Sequence, residues 1–287
     1  MYQNKTLIFF GAHPDDESFG VGATLAQYAA RGVKVYYVCS TGGEEGTVEP
    51  RFLTGYSSIK ELRERELKSA AEALGLAGVY YLGYRDSGMR GAASNKHPNA
   101  MSMAPVDEAA GRIVKIMREL KPDVVITHDS GGGYGHPDHV GTHEAVKKAF
   151  PAANNPDLYP EAGPPFQPGK LYFLARARKL MKVMIKLMPL FGRDPRRFGR
   201  NGDIDLTKMT VGEPHIHAVI RLGKQSVETR NKAVACHPSQ SSGPGTRPGL
   251  FRMMEFIHKL QGPRESFTRA YPPPARHREK DLFAGLK

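Results

Sequence analysis

Residues 5–17 read Lys-Thr-Leu-Ile-Phe-Phe-Gly-Ala-His-Pro-Asp-Asp-Glu. A short apolar, β-rich run breaks at a glycine into imidazole and carboxylate groups, and a helical pattern follows near 18–31. The same succession recurs downstream. Strands are predicted at 33–39, 78–82 and 123–128, and helices at 58–74, 105–120 and 137–149. Leu62, Leu67, Ala70, Ala71 and Leu74 give the second helix an apolar stripe, and Pro122 stops the third. Strands separated by helices of this length predict an α/β fold, a parallel sheet with right-handed crossovers and helices on both faces.

Such sheets bind ligands outside the carboxyl ends of their strands. All four predicted strands run into polar, glycine-rich residues there: 11–17, Thr41-Gly-Gly-Glu-Glu-Gly46, Arg85-Asp-Ser-Gly88 and Asp129–His136. One polar loop means little; four on one edge predict a site.

The chain has 287 residues, 40% hydrophobic and 24% charged. That is enough to bury a core, which excludes a disordered chain and a disulfide-stapled miniprotein. Cys39 and Cys236 are too few for a disulfide framework and fit a reducing compartment. The apolar start is too short for a signal peptide, and no run approaches the roughly 20 residues of a membrane span. A cytoplasmic globular protein is expected. Residues 1–150 are expected to form the catalytic core. Residues 151–287 begin with a proline-rich connection and are expected to complete the same domain as a smaller C-terminal extension. Beyond the connection, strands are predicted near 170–174 and 215–221, a helix near 224–236, a loop over 243–249 and a helical stretch to about 260. The tail around Pro272-Pro-Pro274 reads as irregular.

The net charge is +12. Residues 176–200 supply a net +8 of it, so the excess belongs to one segment and argues against nucleic-acid binding. Leu180, Met184, Leu187, Met188 and Phe191 recur there at helical spacing opposite Arg178, Lys179, Lys182 and Lys186. This is an amphipathic helix ending near Pro189. It reads first as a packed helix with a solvated basic face. Weak contact with an anionic membrane, or a basic lid over an acidic substrate, is the functional alternative.

Gly20-Val-Gly22 lies too late after the first strand to cradle a pyrophosphate, and Leu25 stands where a third glycine is needed. What sits at the turn is His13-Pro-Asp-Asp16. His13 and Asp16 can converge on one divalent cation if the chain folds back, which Pro14 favours, leaving Asp15 free as a base. A second cluster, His136-Pro-Asp-His139, opens the helix at 137, and His139 in its first turn can supply a third ligand. A lone His–Asp pair is more often a cap than a ligand. Two such clusters after two strands on one edge are not.

The motifs Ala12-His-Pro-Asp-Asp-Glu17, Arg63-x-x-Glu66-Leu67, Arg85-Asp-Ser-Gly-Met89, Gly133-Tyr-Gly-His-Pro-Asp-His139 and Cys236-His-Pro-Ser-Gln240 span most of the chain. Together they resemble the LmbE-like, or PIG-L, family of zinc-dependent N-deacetylases, in particular its mycothiol-pathway branch. The resemblance implies a Rossmann-like fold and one zinc per chain, with ferrous iron the alternative, held by His13, Asp16 and His139. It implies Asp15 as general base and His136, as imidazolium oriented by Asp138, as oxyanion donor, with Tyr134 a second donor. Arg63 and Asp86 would hold sugar hydroxyls, and Met89 would line the pocket. The implied activity is hydrolysis of the N-acetyl, or larger N-acyl, amide of a glucosaminyl small molecule. The rival reading from another class is a metal-fold protein that acts by binding an anionic partner through 176–200. A two-metal phosphoesterase would need a richer ligand set than these residues offer.

Overall fold

The computed structural model describes residues 2–175, 178–197, 205–207, 215–240, 262–274 and 276–286. Among them a single sheet runs through the molecule. Its strands are β1 (Thr6–Gly11), β2 (Lys34–Thr41), β3 (Gly78–Tyr84), β4 (Val124–Thr127), β5 (Lys170–Ala175), β6 (Ala218–Arg221) and β7 (Arg264–Tyr271). They lie in the order β3-β2-β1-β4-β5-β7-β6. The first five are parallel, and β7 runs antiparallel to both its neighbours. The chain leaves β1 toward β2 and later returns to β4 on the other side. The crevice between the ends of β1 and β4 is therefore the switch point where such sheets bind ligands.

All six residues of β1 are buried. Ile8 and Phe10 face one layer, with Val38 and Val125, against Ile113 and Met117 of α4 (Val106–Leu120) and Val146 of α6 (Pro137–Ala152). Leu7 and Phe9 face the other, with Val35, Tyr37 and Ile126, against Leu25 and Tyr28 of α2 (Gly22–Ala29) and Leu67 of α3 (Ile59–Leu74). A strand covered on both faces reads as an unbroken apolar run, which is why alternation is missing there. Ser58 caps α3 by accepting the Glu61 N–H at 3.1 Å, and Gly75 closes it in the left-handed conformation at φ 73°.

The helix expected at 18–31 is two pieces, α1 (Asp16–Phe19) and α2. They part at Gly20–Val21, so that Asp16 opens the first piece. The tail expected to be irregular contains β7. Its neighbours in the sheet are β5 and β6, so residues beyond 150 continue the sheet begun in the first half. The helix after β6, α8 (Lys224–Ala235), agrees with the expected 224–236. The loop at 243–249 and the stretch to 260 lie outside the described residues. No described helix is long and apolar enough to cross a membrane.

Candidate metal centre and active site

After β1 the chain turns back on itself within five residues. Asp16 Oδ2 accepts the backbone N–H groups of Ala12 at 2.8 Å and His13 at 3.0 Å, which winds the loop around its own carboxylate. Tyr37 donates to His13 O at 2.6 Å and Arg63 Nη2 to Pro14 O at 3.0 Å. The turn is strained: Asp15 has φ 154° and ψ −23°, a conformation held only where the surroundings impose it.

The winding brings together atoms of three residues that could hold a metal ion. His13 Nδ1 lies 3.2 Å from His139 Nε2 and 3.9 Å from Asp16 Oδ2, and His139 Nε2 lies 3.5 Å from Asp16 Oδ1. A tetrahedral ion with bonds of about 2.1 Å has ligand–ligand edges of about 3.4 Å. Two imidazole nitrogens and a carboxylate at these separations fit a borderline divalent cation in donor type and in spacing. His13 and His139 are buried, as is the imidazole of His128, which stacks on His139 at 3.9 Å and places Nε2 3.3 Å from Asp16 Oδ2. His128 directly follows β4. His143, one turn beyond His139, donates Nδ1–H to His128 O at 2.8 Å and steadies that stack.

Asp138, wholly buried, takes His13 Nε2 at 3.2 Å and the Ser87 N–H at 3.0 Å on one oxygen. An imidazole whose far nitrogen is held by a carboxylate is fixed in ring orientation and made a better ligand. The carboxylate expected to orient His136 is thus directed to His13. His136 is instead the N-cap of α6, and its Nδ1 accepts the Asp138 N–H at 3.2 Å. That leaves the proton of the neutral ring on Nε2. Burial, reinforced by the neighbouring His13, pushes His136 down to about 3, a shift that favours the neutral ring over the expected imidazolium. Burial likewise pushes the Tyr134 hydroxyl well up, keeping its proton.

Arg63, almost fully buried, donates Nη2–H to Asp15 Oδ2 at 2.8 Å and Nη1–H to Gly43 O at 2.9 Å. Burial raises the Asp15 carboxyl to about 6 while the guanidinium opposes the shift. Asp86 takes the Gly88 N–H at 2.8 Å, and Glu44 takes the Asp86 N–H at 2.9 Å, so the loops after β2 and β3 are tied together. A cleft of about 370 Å³ opens over these groups, lined by His13, Asp15, Arg63, Asp86, Met89, Tyr134 and His136. Every candidate residue read from the sequence therefore lies at this cleft or, for Asp16, Asp138 and His139, directly behind it.

The basic segment forms α7 (Arg178–Leu187). Ile185 and Met188 are buried beside Leu206 and pack against Tyr134, while Lys186 faces solvent. Residues 176–177 and 198–200 lie outside the described residues. Sequence reading left four site-adjacent groups without a role. Glu17, Glu66 and Ser239 are buried polar residues, and Gln240 lines the cleft. A charge on the apolar stripe of α3 was the available sign for Glu66.

A buried His/Asp constellation at the switch point, with a separate carboxylate beside it, fits a metal-dependent hydrolase. Comparison with known proteins narrows the class. The family model PIG-L, described as GlcNAc-PI de-N-acetylase, matches residues 8–150. A 1D-myo-inositol 2-acetamido-2-deoxy-α-D-glucopyranoside deacetylase from Thermobifida fusca is 37% identical over 98% of this chain and 99% of its own. One of the same name from Thermomonospora curvata is 36% identical over 99% and 97%. The solved N,N′-diacetylchitobiose deacetylase from Pyrococcus horikoshii superposes with a TM-score of 0.61 at 21% identity, covering 92% of this chain and 83% of that one. The chain belongs to the PIG-L family of N-deacetylases, hydrolases that cleave a linear amide.

Proposed function

We propose that the protein is a zinc-dependent deacetylase that removes the N-acetyl group of a GlcNAc-inositol-type small molecule. The convergence of His13, Asp16 and His139 beside an independently held Asp15 carries the reading. Likeness to deacetylases named for that substrate, over nearly the whole chain, supports the choice of aglycone. His13, Asp16 and His139 would hold the zinc, which would supply Lewis acidity toward the amide carbonyl and acidify a water to a pKa of about 7.

The chain supplies the rest. Asp15 is tethered to Arg63 through Oδ2, so Oδ1 is the oxygen that takes a proton from the attacking water and returns it to the departing amine. Oxyanion stabilisation falls to the Nε2–H of His136 and the hydroxyl of Tyr134, which stand with ring centroids 5.9 Å apart at the cleft. Neutral donors fixed before the charge develops are worth about 3–4 kcal/mol of barrier each. Asp86 receives sugar hydroxyls at the cleft wall, Arg63 lies against them beneath Asp15, and Met89 limits the space for the aglycone.

The test is primary-amine release across GlcNAc-inositol, a mycothiol S-conjugate, GlcNAc-malate, chitobiose and a GlcNAc-lipid, with Asp15→Asn as blank. Preferential turnover of GlcNAc-inositol is expected. Preferential turnover of the S-conjugate would replace this substrate with an amidase substrate, and no turnover of any member with metal bound would reject the whole group.

A further inference from the structure

Behind the turn that carries Asp15 and Asp16 lies a set of polar side chains that the reaction does not use. Glu17 and His237 are both 0% exposed, although one belongs to α1 and the other follows α8 some 220 residues later. His237 Nε2 meets Glu17 Oε1 at 2.8 Å, and the Ser18 hydroxyl donates to the same oxygen at 2.6 Å. Two residues on, Ser239 grips Glu66 with its N–H at 3.0 Å and its hydroxyl at 2.7 Å. Gln240 then donates to the Ser239 hydroxyl at 3.0 Å and reaches the cleft wall.

Burying a carboxylate costs several kcal/mol unless it is paired and hydrogen-bonded, and here two are buried side by side where apolar residues would pack α1 and α3 more simply. Their positions give the reason. Glu17 directly follows Asp16, and Glu66 lies one turn of α3 beyond Arg63. The backbone of Asp15 between these elements is strained, at φ 154°, and such strain persists only when neighbours enforce it. Residues 237–240 therefore brace both sides of Asp15 at once, through α1 on one side and through the helix that presents Arg63 on the other.

We propose that His237 and Glu17 form a buried latch by which the C-terminal part of the chain holds the Asp15–Asp16 turn in working geometry, His237 acting as a positioning residue. The latch rests on the reading of Asp16 as metal ligand and Asp15 as proton carrier. It is tested by comparing wild type, His237→Ala, His237→Gln and Glu17→Gln, each well below its melting temperature. Zinc affinity is read by chelator competition, and kcat and KM by amine release. His237→Ala is expected to weaken zinc binding and lower kcat by about 10-fold or more, with KM within twofold. His237→Gln, whose amide can donate to the same carboxylate, recovers most of both. Wild-type affinity and kcat in a folded His237→Ala protein overturn the proposal, as does a Gln variant as impaired as the Ala variant. If His237→Ala does not fold, Glu17→Gln carries the test. It keeps the volume and loses the charge-assisted bond, and wild-type affinity and kcat in it overturn the latch. A wild-type protein that binds zinc but releases no amine removes the functional reading, while chelator competition still decides the latch.

Discussion

Arg63 and Asp15 stand 48 residues apart in sequence and 2.8 Å apart in space, Nη2 of one on Oδ2 of the other. The same nitrogen holds Pro14 O, and Nη1 holds Gly43 O, so one guanidinium fixes both the side chain and the backbone of the reactive turn. Arg63→Met should lower kcat/KM by roughly 10- to 100-fold, the usual range for a group that orients a reacting one. Gly43→Ala should mimic it with the guanidinium still present. A Cβ at residue 43 would overlap the Arg63 guanidinium, and the backbone there, at φ 71°, already disfavours a side chain. Steady-state kinetics of the two variants checks this, and wild-type kcat/KM in Gly43→Ala contradicts it.

Asp15 and Asp16 are neighbours to which the proposed function gives separate tasks. Asp15→Asn should keep its zinc and lose about 10²- to 10⁴-fold in kcat, the range for a general acid–base group. Asp16→Ala should lose the zinc itself, because it removes a ligand and also the acceptor for the Ala12 and His13 N–H groups. Metal analysis after gel filtration separates them. Metal loss in Asp15→Asn would refute the division.

Metal removal should cost stability, since the ligands converge only in the folded chain. At free zinc 100-fold above Kd, binding contributes about 2.7 kcal/mol, or roughly 5–10 °C in melting temperature for a chain of this size. Thermal melts with and without chelator measure the shift. Asp16→Ala should melt at one temperature in both.

His237 gives a pH dependence of known sign. Burial lowers its pKa, but the hydrogen bond and charge of Glu17 outweigh burial, and the imidazole is held above its ordinary value of 6.5. A raised folded-state pKa contributes stability fully below about 6.5, and that contribution is lost as pH rises through the folded value. Denaturant midpoints of chelated wild type and His237→Gln should therefore differ most below pH 6.5 and converge above it. A gap that widens with pH would contradict the pairing.

Much of this was legible before any coordinates. β1, β2, β3 and β4 follow from apolar runs ending in polar loops, β5 from the apolar run beyond the proline-rich connection, and the candidate ligand trio from two His-Pro-Asp motifs placed after β1 and β4. β7 escaped because Arg264-Glu-Ser-Phe-Thr-Arg-Ala-Tyr271 places Arg269 on the buried side. There Arg269 pairs with Glu279 at 2.7 Å, and a strand with a charge inside does not read as a strand. The partner of Asp138 was equally hidden. Its own motif suggests His136, two residues away, whereas the packing of α6 against the first turn delivers it to His13. The motif Cys236–Gln240 was visible as a pattern, but nothing in one dimension pairs its histidine with Glu17.

The sheet order has a consequence for synthesis. Among the described residues β6 pairs with no strand but β7, which joins it to β5. While the chain is emerging, β6 must wait unpaired until residue 271 is out, and the edge of β5 stays bare, a template for any passing strand. Residues 237–240 lie between those two strands and are held in the same interval. A chain that stops short of β7 thus carries the His/Asp motifs on a sheet that lacks the strand joining β6 to β5.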